Sequence, residues 1–425
     1  MSRRTVLLIA FHFPPLRGIS GIQRTLCFAK YLPRYGWDPV VLTVSSSAYK
    51  LVAPIDPEEQ AYPFEVRRAY GMDVAGTLRV LGRYPRRLAL PDRWSSWRYF
   101  AVRAALKLVR EKPVDVVWST FPIATAHMIG MDVARRAGIP WVAEFRDPMW
   151  QGDYPPEPAQ NMAWKRLEAD VFAHAQHVVV TTPGAAREYS TRFPEFESHR
   201  LSVIENGYDE PEFARAEASL PKRDLSSTTS GMVTLLHSGV IYPEERDPRH
   251  LFSAIASMKG KDPSITARLR LILRATGADA RYTEMIEACG IGDIVQLAPA
   301  IDYASALAEM LTVDGLLILQ AASCNSQIPA KIYEYMRAGR PIVALTDPDG
   351  DTADALRSVG VSLIARLDSA AEIEAALIDF IQQRAQGHSS APDPIALRSY
   401  ARENQAGRLA AEFDELCRTR RRSGP

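Results

Sequence analysis

A chain of 425 residues, 47% hydrophobic and 24% charged, is too long for one typical core, so two domains are expected. Its formal net charge of +1 gives no global argument for nucleic-acid binding. The four cysteines (Cys27, Cys289, Cys324, Cys417) are scattered without a CxxC pair, which argues against zinc and a disulfide scaffold and fits a reducing cytoplasm.

The N-terminal run from Val6 to Phe11 mimics a signal peptide behind Arg3 and Arg4, but it is short, meets His12 and ends at Pro14-Pro15. It reads instead as a buried first strand, Thr5–Phe11. No apolar run reaches the ~18 residues that a membrane span needs. A loop with Gly18, Ser20 and Gly21 follows, then helical spacing over Ile22–Tyr35 and a second strand, Val40–Val44. A strand, a glycine loop and a helix suit a dinucleotide, but the spacing is not GxGxxG and no acid closes the second strand. Residues 46–78 read as irregular. Between Arg79 and Lys112 stand ten Lys or Arg and only two acids, interleaved with Trp94, Trp97, Tyr99 and Phe100. That segment suits an anionic bilayer face or a lipid diphosphate, or it is a helix (Trp97–Arg110) with a solvated basic side. No nucleic-acid motif accompanies the charge.

Val114–Ser119 and Trp141–Phe145 read as further buried strands. The second ends in Arg146-Asp147-Pro148, a charged cluster where open α/β sheets bind ligands. Arg146 and Asp147 pair structurally or line an acceptor site. His127, in the intervening helix, reads as a core residue or as a third member of that set. Helices over Asn161–Ala175 and Pro183–Thr191 flank a strand, His177–Thr182, and Asn206-Gly207 is a turn. The polar stretch 211–231 reads as a linker. Strand Met232–His237 opens the second half and ends Ser238-Gly239-Val240. The loop after it carries Arg246, and Leu251–Met258 is a helix. Strands Leu269–Arg274 and Ile294–Leu297 follow, with Gly277 placed to approach a ligand. After a helix over Ala304–Leu311 comes an apolar strand, Gly315–Leu319.

The stretch Ala321–Thr346 carries the most chemistry. Pro329 suits a helix first turn, Lys331–Ala338 reads as the helix, and Gly339 as its C-cap. A strand, a tight loop and a helix N-terminus form an anion site. Lys331 adds a charge one turn in, and Glu334 lies three residues on, near the same face. A cation with a carboxylate suits a nucleotide: Lys331 for the diphosphate, Glu334 for the ribose hydroxyls. Later helices are read at Thr352–Ser358, Ala371–Gln383 and Asp393–Phe413, before a basic tail, Arg418–Arg422.

The run Glu334-Tyr-Met-Arg-Ala-Gly339-Arg-Pro341-Ile resembles the donor site of retaining glycosyltransferases of family 4, which have the GT-B fold. Pro329-Ala-Lys331-Ile-Tyr-Glu334-Tyr is similar to a subgroup with Pro-Ser-Lys-x-x-Glu-Tyr. The family's first glutamate falls on Ser326 and is absent, its loop histidine is absent near Thr120, and its usual arginine after the first strand of the second half is Val240. Glu144-Phe-Arg146-Asp147-Pro148 resembles a run of the polysaccharide-building branch, and Asn206-Gly207-Tyr-Asp209 one that ends the N-terminal domain. The resemblance implies α/β architecture: two Rossmann-like, doubly wound domains facing across a cleft. These would be an acceptor domain (1–210), a linker (211–231), a nucleotide-sugar domain (232–395), and a closing crossover helix with a basic tail (396–425).

It further implies transfer of a hexosyl or N-acetylhexosaminyl group from a nucleoside diphosphate sugar to a glycan or lipid-linked hydroxyl. Configuration would be retained, with no metal or cofactor. Arg246 and Lys331 would stabilise the leaving diphosphate. Gly18, Ser20, Gly21, Gly239, Gly277, Pro329, Ala330 and Glu334 would complete the donor site, with Arg146, Asp147 and His127 toward the acceptor. A cytoplasmic protein, peripheral on the membrane's inner face, fits this reading. A sugar-nucleotide epimerase of the same fold and a non-catalytic nucleotide-binding homologue remain alternatives.

Overall fold

The computed structural model describes residues 3–16, 21–49, 62–77, 86–221, 231–387 and 391–422. It divides into two compact units, Met1–Asn206 with Arg402–Pro425, and Gly207–Ala401. Among the described residues no helix is long and apolar enough to cross a membrane.

The first unit runs β1 (Arg4–Ile9), α1 (Gly21–Tyr31), β2 (Trp37–Val44), β3 (Glu65–Ala69), α2 (Val74–Thr77), α3 (Ser96–Glu111), β4 (Val116–Thr120), α4 (Thr125–Ala137), β5 (Trp141–Phe145), α5 (Pro158–His174), β6 (His177–Val180), α6 (Pro183–Arg192) and β7 (Leu201–Val203). Its sheet is parallel throughout, ordered β3-β2-β1-β4-β5-β6-β7. Order reverses at β1 and β4, so a crevice forms beyond their C-terminal ends. Val6, Leu7, Leu8 and Ile9 are all fully buried, as a strand covered on both faces requires.

The second unit runs α7 (Glu210–Ser219), β8 (Val233–Ser238), α8 (Arg249–Lys261), α9 (Pro263–Thr266), β9 (Leu269–Arg274), α10 (Asp279–Ala288), β10 (Val295–Ala298), α11 (Tyr303–Thr312), β11 (Gly315–Leu319), α12 (Lys331–Ala338), β12 (Ile342–Leu345), α13 (Asp351–Arg357), β13 (Ile364–Ala365) and α14 (Ala370–Ala385). Its parallel sheet is ordered β10-β9-β8-β11-β12-β13, with the reversal at β8 and β11. The chain enters and leaves this unit at one place, where Tyr208 bridges Ala401 and its N–H donates to the Tyr400 carbonyl at 3.2 Å. The last helix, α15 (Arg402–Arg422), belongs to the first unit. There Leu409 and Phe413 are fully buried, and the Phe413 ring meets Trp37 edge-on.

Several elements differ from the sequence reading. The helix expected over Ile22–Tyr35 becomes a 3-10 turn from Leu32, because Pro33 brings no N–H, and Gly36 closes it at φ +83°. The stretch 46–78 is not wholly irregular. β3 is an edge strand paired to β2, and its Glu-Val-Arg-Arg-Ala sequence shows no apolar alternation. Ion pairs of Glu65 with Lys112 and of Arg67 with Glu111 cover it instead. The stretch read as linker begins with a helix, α7, which buries Phe213 and is clamped by Arg337 through Glu210 and Glu217. The helix expected over Asp393–Phe413 is a 3-10 turn, Ala396–Tyr400, and then α15.

Candidate functional site

In the second unit the C-terminal ends of β8 and β11 flank the reversal of strand order, and α12 follows β11. Lys331 opens α12, and its Nζ lies 3.2 Å from His237 Nε2, near the end of β8. Gly239 follows at φ +122°, and a Cβ there would stand 2.9 Å from Lys331 Nζ. The Gly239 N–H is spent on the Arg274 carbonyl at 2.9 Å, and the Ser238 N–H on Tyr335 Oη at 2.7 Å. The glycine therefore contributes space for a cation rather than a free amide.

Burial first, and then the charge of Arg246, hold the Lys331 ammonium down to about 7, against a smaller opposing pull from Glu334. Arg246 stands on the loop after β8. Its Nη1 donates to the Val240 carbonyl at 2.7 Å, and its guanidinium lies 5.0 Å from the Tyr242 ring. Glu334, one turn along α12, accepts from Tyr303 Oη at 2.8 Å. Pro329 and Ala330, both half-buried, lead into α12, with the Pro329 carbonyl accepting from the Ile332 N–H. Gly277, at φ +83°, has Val240 beside it. The structure thus gathers Arg246, Lys331, Gly239 and Glu334 at one end of the sheet. A cavity of about 630 Å³ is lined by Pro243, Glu244, Asp247, Gln320–Ala322 and Arg366–Asp368, and none of those four residues lines it. Among the described residues, no group of three or more His, Cys, Asp or Glu side chains could hold a metal ion.

Gly18 and Ser20 lie outside the described residues. Gly21 begins α1, and a Cβ there would come 2.2 Å from Arg146 Nη1, which donates to the Gly21 carbonyl at 3.1 Å. Glycine at 21 is needed for that arginine to approach. Asp147 is exposed beside it, and the Arg146 carbonyl accepts from Thr181 Oγ1. His12 lies beyond β1, its Nδ1 buried without a partner; burial and then Arg146 lower its pKa to about 4. His127 sits elsewhere. It is fully buried, bonded through Nδ1 to Ser119 Oγ at 2.8 Å and packed on Phe145, with its pKa lowered by burial to about 3. Of its two sequence readings the core one holds, because a side chain without surface cannot line an acceptor site.

Three residues near this cluster were not singled out from sequence. Tyr335 is one turn beyond Lys331, a spacing that could have pointed to it. His237 stands in an apolar strand, where a histidine reads as core, and Tyr303 begins α11 with no motif around it.

Residues 21–207 match the family model described as a glycosyl transferase 4-like domain. The whole chain is similar in fold to the sucrose-phosphate synthase of Thermosynechococcus elongatus, at 15% identity over 98% of this chain and 100% of that one, with a TM-score of 0.66. It is also similar to Anabaena HepE, solved in complex with UDP, at 14% identity over 97% and 100% of the two chains, TM-score 0.63. The trehalose 6-phosphate synthase of Burkholderia multivorans shows 12% identity over 99% and 98%, TM-score 0.65. No curated protein matched the chain by sequence.

Proposed function

We propose that the chain, which has the fold of GT-B enzymes and matches a glycosyl transferase 4-like domain over residues 21–207, is a glycosyltransferase that moves a sugar from a nucleoside diphosphate sugar to a glycan or lipid-linked hydroxyl with retention of configuration. One observation carries the donor side: Lys331 is held at the reversal point of a parallel sheet, over Gly239 and close enough to Arg246 to feel its charge. The bond from the anomeric carbon to the diphosphate breaks, and one to the acceptor oxygen forms on the same face. The acceptor's proton passes to the departing phosphate. Lys331 and Arg246 stabilise the charge that grows on that leaving group, which needs no metal. Glu334 takes the ribose hydroxyls, and Arg146 and Asp147 line the acceptor side. The UDP complex of Anabaena HepE makes UDP the first nucleotide to try.

Thermal unfolding with UDP, GDP and ADP in turn tests this. A nucleotide at about 100 times its dissociation constant should add ~2.7 kcal/mol of stability. A shift with one of them that disappears in Arg246→Ala supports the donor site, and no shift with any of them sinks it. Turnover of donor without acceptor would instead favour an epimerase. Glu334→Gln should weaken the preferred nucleotide by roughly tenfold or more, the cost of a hydrogen bond to a charged group. The 2′-deoxy nucleotide should lose correspondingly less, and equal losses for both would count against the ribose assignment.

Of the basic segment 79–112, residues 79–85 lie outside the described residues, and the rest supports a peripheral contact with an anionic membrane. On α3, Tyr99 and Phe100 are exposed (59% and 40%), and Arg103, Lys107 and Arg110 lie exposed on the same helix. Trp97 turns into the core, and Arg98 is bound by Asp132 at 2.8 and 3.0 Å, so neither belongs to that face. The protein should sediment with vesicles containing phosphatidylglycerol and not with phosphatidylcholine alone. Tyr99→Ser with Phe100→Ser should cut the bound fraction roughly fivefold. Equal sedimentation with both vesicles, or no effect of the double change, would reject the contact.

A further inference from the structure

His237 is the buried titratable group that the reaction outlined above does not use. It lies in β8, between β9 and β11, and is 1% exposed. The β8–β11 ladder pairs Gly315 with Leu235 and Leu316 with Leu236. The next carbonyl on β11, that of Leu317, faces the imidazole Nδ1 at 2.9 Å. A carbonyl can only accept, so Nδ1 carries the hydrogen. With the hydrogen on Nδ1, Nε2 is the acceptor that faces Lys331 Nζ at 3.2 Å, and the backbone of Gly239 is a further, weaker hydrogen-bond partner of the ring. The ring stays neutral: burial, then Lys331, and more weakly Arg246, push its pKa well below the ordinary histidine value. The charged and titratable groups around Lys331 are thus His237 from β8, Arg246 from the following loop, and Glu334 and Tyr335 from α12 itself.

We propose that His237 is a positioning residue for the diphosphate-binding lysine: its Nε2 accepts from Lys331 Nζ and holds the amine over Gly239, aimed before any nucleotide arrives. A long flexible side chain loses rotamer freedom when it is fixed, so holding it in advance lowers what the ligand must spend. A leucine of similar size at 237 would fill the strand and leave Lys331 without its partner. A glutamine can place an amide oxygen near the Nε2 position and restore it. The inference rests on the reading that Lys331 meets the donor diphosphate.

Calorimetric titration of the full-length protein with UDP tests it. His237→Leu should weaken UDP about tenfold, and His237→Gln should stay within about threefold of the parent. In a Lys331→Ala background, His237→Leu should have no further effect, because the histidine acts through the lysine. His237→Leu binding like the parent, or losing as much in the Lys331→Ala background, overturns the positioning role alone. A parent protein that binds no UDP, GDP or ADP overturns the diphosphate reading and this inference with it. If His237→Leu does not fold, imidazole nitrogen spectra of the parent decide, with His237→Gln locating the signal. A neutral ring with the hydrogen on Nδ1, whose Nε2 resonance moves in Lys331→Ala, is expected. A hydrogen on Nε2, or a resonance that does not move, refutes it.

Discussion

Lys331→Ala should lower turnover by about 10²–10³-fold, the usual loss when one charge-stabilising donor is removed from a leaving group. The effect belongs in kcat/KM and in the affinity for the free nucleoside diphosphate, because both hold negative charge at the same atoms. The parent should also show a pH dependence that the variant lacks. With the ammonium held to about 7, the free protein releases this proton far below the ordinary lysine value of 10.5. A bound diphosphate favours the charged form, so binding above about pH 7 must first restore the proton. Affinity should therefore be highest below pH 7 and fall as pH rises, approaching tenfold per unit until the pKa of the bound state is reached. Nucleotide titrations between pH 6 and pH 9 read this directly. A flat profile in the parent, or the same slope in Lys331→Ala, would remove Lys331 from the phosphate site.

Glu144→Ala should cost the first unit about 3–5 kcal/mol, as breaking one partner of a buried ion pair does. Glu144 is fully buried at the end of β5. One oxygen takes both Arg24 Nε at 2.9 Å and Nη2 at 2.8 Å, and the other takes Thr120 Oγ1 at 2.8 Å. Arg24, 1% exposed on α1, also donates to the carbonyls of Ile204 and Glu205. The pair therefore joins the ends of β4 and β5, the start of α1 and the chain after β7. Alanine would leave a guanidinium in the core with two carbonyls and no counter-charge. Replacing both residues by methionine should cost less than the single change, since no charge is then buried. Urea unfolding of the single and double variants checks this. A loss below about 1 kcal/mol for Glu144→Ala would mean that water reaches the site.

The cluster proposed to bind the donor was partly legible because its central piece is contiguous. Lys331, Glu334 and Gly339 sit in one short segment with a helix start and stop, and Gly339 does close α12 at φ +66°. Arg246 could be named only through a family resemblance. The surroundings of the histidines were less legible, since His127 and His12 both stand in apolar stretches of sequence. Only the packed structure separates the first, enclosed by Phe145 and Trp141, from the second, beside Arg146.

The sequence by itself determined the alternation of strand and helix in both units, because apolar runs, helical spacing and glycine or proline stops act over a few neighbouring residues. It also determined where a cation and a carboxylate share one helix. Tertiary structure alone decided what surrounds them. Strand order brings β8 beside β11, and so sets His237 against Lys331 across 94 residues of chain. The same kind of long-range packing turned Trp97 inward and left Tyr99 outside. Such pairings depend on which strands become neighbours, and no local spacing carries that information.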